Sequence, residues 1–212
     1  MDKLRQVFSW IYFIMYLSLV WFISLALGLL FFSFVPACVT AVEQVQMMRK
    51  DQLRGQLALG SRYFSSFFNH LKDFYLTSLV FLGLLFILLT NYLFLSGTRG
   101  LITYLLFYLT IAMIIAWFWI VATFCVVGLN YPDLSTKDQV KNSSFIVLSH
   151  LLEYLIVGVL HIASAMVLWA ISPILIAFVP VLGLIFYDYL ICKILKGFSI
   201  RSYFKNFINS HE

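Results

Sequence analysis

Long apolar runs separated by short polar segments make up nearly the whole chain. A helix that crosses the hydrocarbon core of a bilayer needs about 20 apolar residues. Runs of that length recur along the sequence and predict an all-α, polytopic membrane helix bundle, a single integral membrane domain over 1–212. The five runs that reach this length cover residues 8–34, 74–95, 101–127, 145–170 and 172–192.

The stretch Pro36–Lys50 is a weaker candidate for a sixth membrane segment. Pro36 suits the first turn of a helix, but Glu43 and two nearby glutamines are polar. Fifteen helical residues extend about 22 Å, less than the ~30 Å hydrocarbon core. We therefore expect a short, tilted or re-entrant segment, with small residues that allow close helix packing. The residues predicted to form its turn and packing contacts are Pro36, Ala37, Ala41 and Glu43.

The distribution of cations favours six segments over five. Lys and Arg accumulate on the cytoplasmic side of membrane proteins. If Pro36–Lys50 returns the chain, every one of the 14 Lys and Arg residues except Arg99 lies on one side. If it does not return the chain, Lys3 and Arg5 join Arg99 on the other side. The cleaner split predicts six membrane segments with the N- and C-termini in the cytoplasm.

Two polar segments, 51–73 and 194–212, carry aromatic residues at helical spacing. We expect cytoplasmic amphipathic helices that lie at the membrane interface, and docking of a cytoplasmic partner is the alternative. A third polar segment, 129–144, is predicted to be a cytoplasmic loop in which Ser135 or Thr136 could cap a short helix. The interfacial or docking aromatics are Tyr63, Phe64, Phe67, Phe68, Tyr203, Phe204 and Phe207.

Composition agrees with this class of protein. The chain is 63% hydrophobic and 11% charged, whereas soluble domains have roughly 45–50% apolar and ~25% charged residues. Lipid must therefore cover most of the surface, and the bilayer is the first partner. The net charge of +5 is explained by cations retained at the cytoplasmic side, so no nucleic-acid partner is expected.

Three ionisable residues, His150, Glu153 and His161, fall within the run 145–170. At 100° per residue, the two histidines project within about 20° of each other, and Glu153 lies about 60° to one side. Because ionisable groups inside a membrane are costly, we expect this polar stripe to face the bundle interior and to hydrogen-bond between helices. Asp188, in the next run, is a candidate partner for His150. A polar pathway is one alternative, and a metal site is another.

No local pattern indicates catalysis. The sequence has no recognisable Ser/His/Asp or Cys/His motif, no glycine-rich phosphate loop and no soluble catalytic domain. The three cysteines, Cys38, Cys125 and Cys192, are far apart in apolar stretches and form no CxxC pattern. We therefore predict that the protein is not an enzyme and holds no metal or cofactor.

A short internal echo links two parts of the chain. Phe34–Pro36 recurs as Phe178–Pro180, and an acid follows each proline by seven or eight residues, at Glu43 and Asp188. A basic residue follows each proline by thirteen residues. If the echo is a true repeat, each unit is a helix with an early proline that ends in the cytoplasm; chance similarity is the alternative.

Several short motifs resemble the YesL-type family of uncharacterised bacterial membrane proteins, a domain of unknown function. Phe34–Ala37 is similar to the family's Gly-Pro-Ala turn, with Val35 where the family usually has glycine. Met-Arg-Lys at 48–50 follows this turn, and Val-Lys-Asn-Ser-Ser-Phe at 140–145 is similar to the family's entry to the next span. The resemblance extends over nearly the whole chain.

The resemblance implies a partner more than an activity. Such proteins are often encoded beside carbohydrate ABC importers in Gram-positive bacteria. It therefore implies an accessory or regulatory subunit that packs against permease or ATPase subunits in the bacterial plasma membrane. The chain lacks the EAA-type loop that permeases present to their ATPase, so it is not expected to be the permease. A small transporter or channel that uses the polar stripe is the alternative function, and a membrane sensor for a histidine kinase is a third.

Overall fold

The computed structural model describes residues 2–50 and 59–197, and within these ranges it contains helices and no strand. Five segments are long and apolar enough to cross a membrane, which confirms the prediction of an all-α, multi-pass membrane protein. The helices are α1 (Asp2–Leu27), α2 (Phe34–Arg49), α3 (Leu59–Ser96), α4 (Leu101–Asn130), α5 (Thr136–Ser149), α6 (Leu151–Ile171) and α7 (Val179–Gly197).

A tight, apolar turn connects α1 to α2. Leu29 and Leu30 have positive φ values of 53° and 49°, a conformation that non-glycine residues rarely adopt. Gly28 lies so close to Ser33 that a Cβ at this position would overlap it. The Ser33 hydroxyl donates a hydrogen bond to the Leu25 carbonyl oxygen at 3.2 Å. These contacts reverse the chain within residues 28–33.

Helix α2 forms the centre of the bundle. Every residue from Val35 to Val42 is buried, and α2 contacts α1, α3, α4 and α7. It packs antiparallel to α3, because the Val35 N–H donates to Ser78 Oγ at 3.2 Å while Glu43 contacts His70, earlier along α3. The small side chains of Ala37 and Ala41 are fully buried, as expected for packing residues that allow close approach.

Helix α3 is continuous over 38 residues. The described part of the predicted segment 51–73, beyond residue 58, therefore joins the following span without a break. Tyr63 and Phe67 are buried in the bundle, Phe64 is half-buried and Phe68 is exposed. Tyr63 and Phe67 thus pack within the chain, because the contacts of α3 with α1 and α2 cover their face of the helix.

Aromatic side chains join α3 to α4. The rings of Phe74 and Phe124 lie 5.8 Å apart, and those of Phe81 and Trp117 lie 6.4 Å apart. Trp117 also donates its indole N–H to the Phe81 carbonyl oxygen at 3.0 Å. The buried residues of α4 lie almost entirely between Trp117 and Gly128, in its second half.

The predicted loop 129–144 contains the end of α4, a turn and most of α5. Ser135 caps α5, because its hydroxyl accepts a hydrogen bond from the Asp138 N–H at 3.2 Å. Helix α5 ends at Ser149, and α6 begins at Leu151. The predicted run 145–170 is therefore divided between two helices at His150, and the membrane-spanning part begins at Leu151.

Helices α6 and α7 pack directly on each other. A 3₁₀ turn, Pro173–Phe178, connects them along the chain. Pro180 lies in the first turn of α7, as Pro36 does in α2, where a missing N–H costs no helical hydrogen bond. The two helices that share the sequence echo also contact each other. The predicted tail 194–212 lies outside the described residues from 198 onward, and Tyr203, Phe204 and Phe207 lie there.

Candidate functional site: the polar contacts of helix α2

One polar cluster connects α2 to α3. The Ser66 hydroxyl donates a hydrogen bond to a carboxylate oxygen of Glu43, and His70 Nε2 lies 3.2 Å from the same oxygen. The Glu43 and His70 side chains are 21% and 20% exposed. Ser66 and His70 are four residues apart and therefore share a face of α3. The cluster brings one imidazole and one hydroxyl into contact with the same carboxylate oxygen.

A second polar cluster connects α2 to α7. Asp188 is fully buried, and its two carboxylate oxygens contact Arg49 at 2.5 Å and Gln46 at 2.9 Å. The Cys192 thiol lies 3.4 Å from Asp188. A buried carboxylate is tolerated when a counter-charge and hydrogen bonds replace its hydration. Arg49 supplies the charge and Gln46 supplies a further donor, so α2 provides what Asp188 needs.

Gln44 lies between these two clusters along α2. Its side chain is 1% exposed, and neither its amide nitrogen nor its amide oxygen has a hydrogen-bond partner within the described part of the chain. Burial of an amide without hydrogen bonds is unfavourable. Helix α2 therefore carries three groups of polar side chains. Those directed towards α3 and α7 have partners on these helices, whereas Gln44 has none within the described residues.

The structure does not bring the predicted polar stripe together. Glu153 is exposed, and Tyr154 takes the interior position beside it. His161 Nε2 lies 3.0 Å from the Val179 carbonyl oxygen, at the start of α7. His150 lies at the break between α5 and α6 and contacts Ser149 and the Ile146 carbonyl oxygen. Asp188 contacts α2 and not His150.

The position of Tyr154 explains why Glu153 is exposed. Helix α6 has one buried residue, Tyr154, whose hydroxyl lies 2.6 Å from Thr123 Oγ1 on α4. Because successive residues differ by about 100° around a helix, turning Tyr154 inward turns Glu153 outward. A large ring with a hydrogen-bond partner contributes more to the contact than a carboxylate without a cation.

A buried aromatic contact joins α4, α6 and α7, and sequence reasoning missed it. Trp119 donates its indole N–H to the Tyr187 hydroxyl at 2.9 Å, and the rings of Tyr187 and Tyr154 stack with centroids 6.0 Å apart. These tyrosines and Trp119 lie within apolar runs, where an aromatic residue alone does not indicate a hydrogen bond. Only the helix order brings the three rings together.

Sequence reasoning also missed His70. Its spacing from Ser66 is visible in the sequence, but the contact with Glu43 depends on the antiparallel register of α2 and α3. Within residues 2–50 and 59–197, no group of three or more His, Cys, Asp and Glu side chains is arranged to hold a metal ion.

These features define a multi-pass α-helical membrane protein whose central helix carries polar contacts. The family model described as "Protein of unknown function, DUF624" matches residues 14–92, so the chain is similar to that family from α1 through most of α3. The matched part contains the whole of α2 and the Glu43 cluster. No curated protein and no solved structure matches the chain.

Proposed function

We propose that the protein is an accessory or regulatory subunit of a bacterial carbohydrate ABC importer, bound beside the permease in the plasma membrane. The observation that carries the proposal is the exposed Glu153 near the start of α6. Glu153 lies in the first turn of α6, and its exposed carboxylate is directed away from the bundle. A hydrogen-bond donor or a cation of a neighbouring membrane protein would pair with it.

The surroundings of Glu153 support lateral packing. Leu152, Ile156 and Leu160 are exposed at helical spacing and form an apolar face around the carboxylate. We name Leu152, Glu153, Ile156 and Leu160 the outer face of α6. A partner helix would pack on its apolar residues and donate a hydrogen bond to Glu153, as polar side chains do between membrane helices. The identification of this partner as a carbohydrate importer rests on the resemblance to YesL-type proteins.

We further infer that α1 and α2 form a re-entrant hairpin. The α2 N-terminus contacts Ser78 and stacks Phe34 on Trp117, with ring centroids 6.0 Å apart. Both contacts lie well inside α3 and α4. From Ser78 to Ser96, α3 continues for 18 residues, or about 27 Å at 1.5 Å per residue. The α1–α2 turn is therefore far from the α3–α4 connection.

The composition of the α1–α2 turn supports the same topology. Leu29, Leu30 and Phe31 are exposed, whereas turns that face water usually carry polar residues. Hydrocarbon around the turn removes this conflict. Four full crossings by α3, α4, α6 and α7 then leave both termini on one side, with Arg99 on the other, and the positive-inside rule assigns the termini to the cytoplasm.

Affinity purification from the native membranes tests the function. We expect ABC permease or ATPase subunits to co-purify with the wild-type chain. Glu153→Leu should reduce their recovery, and Glu153→Gln, which keeps hydrogen bonding, should reduce it less. Met166→Leu, an exposed position on the same helix, is the matched control. Wild-type preparations without any transporter subunit would contradict the proposal.

The alternative, a small transporter or channel, receives support from the polar contacts of α2 and not from the predicted stripe. Glu43 and His70 are titratable and partly exposed, so a proton or small polar solute could reach them. Flux into liposomes that contain the purified chain alone, abolished by Glu43→Leu, would favour this function. Co-purification without flux would favour the accessory subunit.

A further inference from the structure

A groove lies between the α1–α2 turn and α3. Its volume is about 530 Å³, within the range of roughly 300–1,000 Å³ that is typical of small-molecule sites. Leu27 and Phe32 line one side, and Leu71, Lys72 and Tyr75 line the other. The groove is open to the outside of the bundle, so a molecule in the bilayer can enter it laterally.

The groove combines apolar walls with one cation. Lys72 is the charged residue of the lining, and Tyr75, one helical turn further along α3, adds a hydroxyl. Within the part of the chain that the structure describes, Lys72 has no ion-pair partner. The adjacent Asp73 is directed about 100° around the helix from Lys72 and is not part of the lining.

Lys72 lies at a change in the composition of α3. Residues 59–73 of α3 expose polar side chains such as Arg62 and Asn69, whereas residues 74–95 are almost entirely apolar. Lys72 lies where the first part meets the second. A cation at such a change in composition is suited to pair with a lipid phosphate, and the groove extends from it along the apolar turn at Leu27 and Phe32.

We propose that this groove binds an anionic phospholipid, with its phosphate on the Lys72 ammonium and the Tyr75 hydroxyl and one acyl chain along the apolar wall. Basic pockets between membrane helices are suited to anionic headgroups. The acyl chain is surrounded by hydrocarbon before and after binding, so its transfer contributes little selectivity. The headgroup charge on Lys72 therefore determines which lipid binds.

Native mass spectrometry of the full-length protein tests the proposal. The detergent-solubilised chain is mixed with equal amounts of phosphatidylglycerol and phosphatidylcholine that carry the same acyl chains. We expect at least a fivefold preference for one phosphatidylglycerol molecule. Lys72→Gln should bring the two lipids to equal binding, while Lys193→Gln, an exposed lysine on α7, should keep the preference.

A second variant tests the apolar wall. Leu27→Trp places a larger side chain at the exposed edge of the groove and should reduce binding of both lipids. An unchanged thermal midpoint for each variant shows that the chain is folded. Equal binding of the two lipids to the wild type, or a preference that survives Lys72→Gln, would overturn the proposal. Displacement of the lipid by soluble glycerol 3-phosphate would also overturn it, because a free phosphate ester would then be sufficient.

Discussion

Helices α2 and α6 differ in how far the rest of the protein buries them. In α2, ten of the 16 residues are buried, and polar side chains face neighbouring helices. In α6, Tyr154 is the one buried residue among 21, and the apolar side chains face outward. α2 is the more polar of the two, yet it occupies the centre of the bundle.

The difference shows that polar side chains can be buried in this chain where neighbouring helices supply partners, and that apolar side chains need not be buried within it. Glu43 and Asp188 lie within the bundle because His70 of α3 and Arg49 of α2 contact them. The aliphatic residues of α6 need no partner from the chain, because lipid or another membrane protein can cover them. The comparison predicts large effects of substitution around α2 and small effects on the outer face of α6.

The largest effect is expected for Arg49→Met. It removes the counter-charge of a fully buried Asp188, and loss of one partner of a buried ion pair costs about 3–5 kcal/mol. The free energy of unfolding in detergent, measured by titration with a denaturing surfactant, checks this. Adding Asp188→Leu should recover most of the loss, since no buried charge then remains.

Lys193→Met is the matched control, because Lys193 is an exposed cation on α7. It should change the free energy of unfolding by less than about 0.5 kcal/mol. If Arg49→Met has an effect as small as this control, the contact between α2 and α7 does not stabilise the bundle.

Two adjacent phenylalanines separate the packed face of α3 from its outer face. Phe67 is fully buried and Phe68 is 51% exposed. Phe67→Ala should cost about 3 kcal/mol of unfolding free energy, because it leaves a cavity, and Phe68→Ala should cost less than about 1 kcal/mol. Similar losses for the two variants would show that the Phe67 ring does not stabilise the packing of α3 within the bundle.

A smaller effect is expected at the contact between α4 and α6. Tyr154→Phe removes the hydrogen bond to Thr123 but keeps the ring, and hydrogen bonds between membrane helices contribute about 0.6 kcal/mol on average. Tyr104→Phe, at an exposed position on α4, serves as the control and should leave the unfolding free energy unchanged. A loss above about 2 kcal/mol would indicate that Tyr154 supports a wider network.

The smallest effect on the isolated chain is expected at Leu160, which is 56% exposed on α6. Leu160→Ala should change the unfolding free energy by less than about 0.5 kcal/mol. The same variant should reduce co-purification of the proposed transporter subunits, because Leu160 belongs to the outer face of α6. A stability loss like that of Phe67→Ala would show that this face is packed within the protein.

Part of the site could be predicted from the sequence. Glu43 and Asp188 stood out because acids are rare in apolar surroundings, and Ala37 and Ala41 because small residues allow close packing. Their partners could not be predicted, since His70 and Arg49 are paired by the register between helices. The orientation of Glu153 could not be predicted either, because a helical wheel shows which residues share a face and not which face turns inward.

The sequence by itself determined the class of protein. Apolar runs of about 20 residues leave helices as the structures that satisfy the backbone in hydrocarbon, and this follows from composition and length alone. The tertiary structure decided which helix is central, that the helical run is interrupted at His150, and which basic residue pairs with each acid. These features depend on contacts between residues more than 20 positions apart or on competition between neighbouring side chains, and no local pattern encodes them.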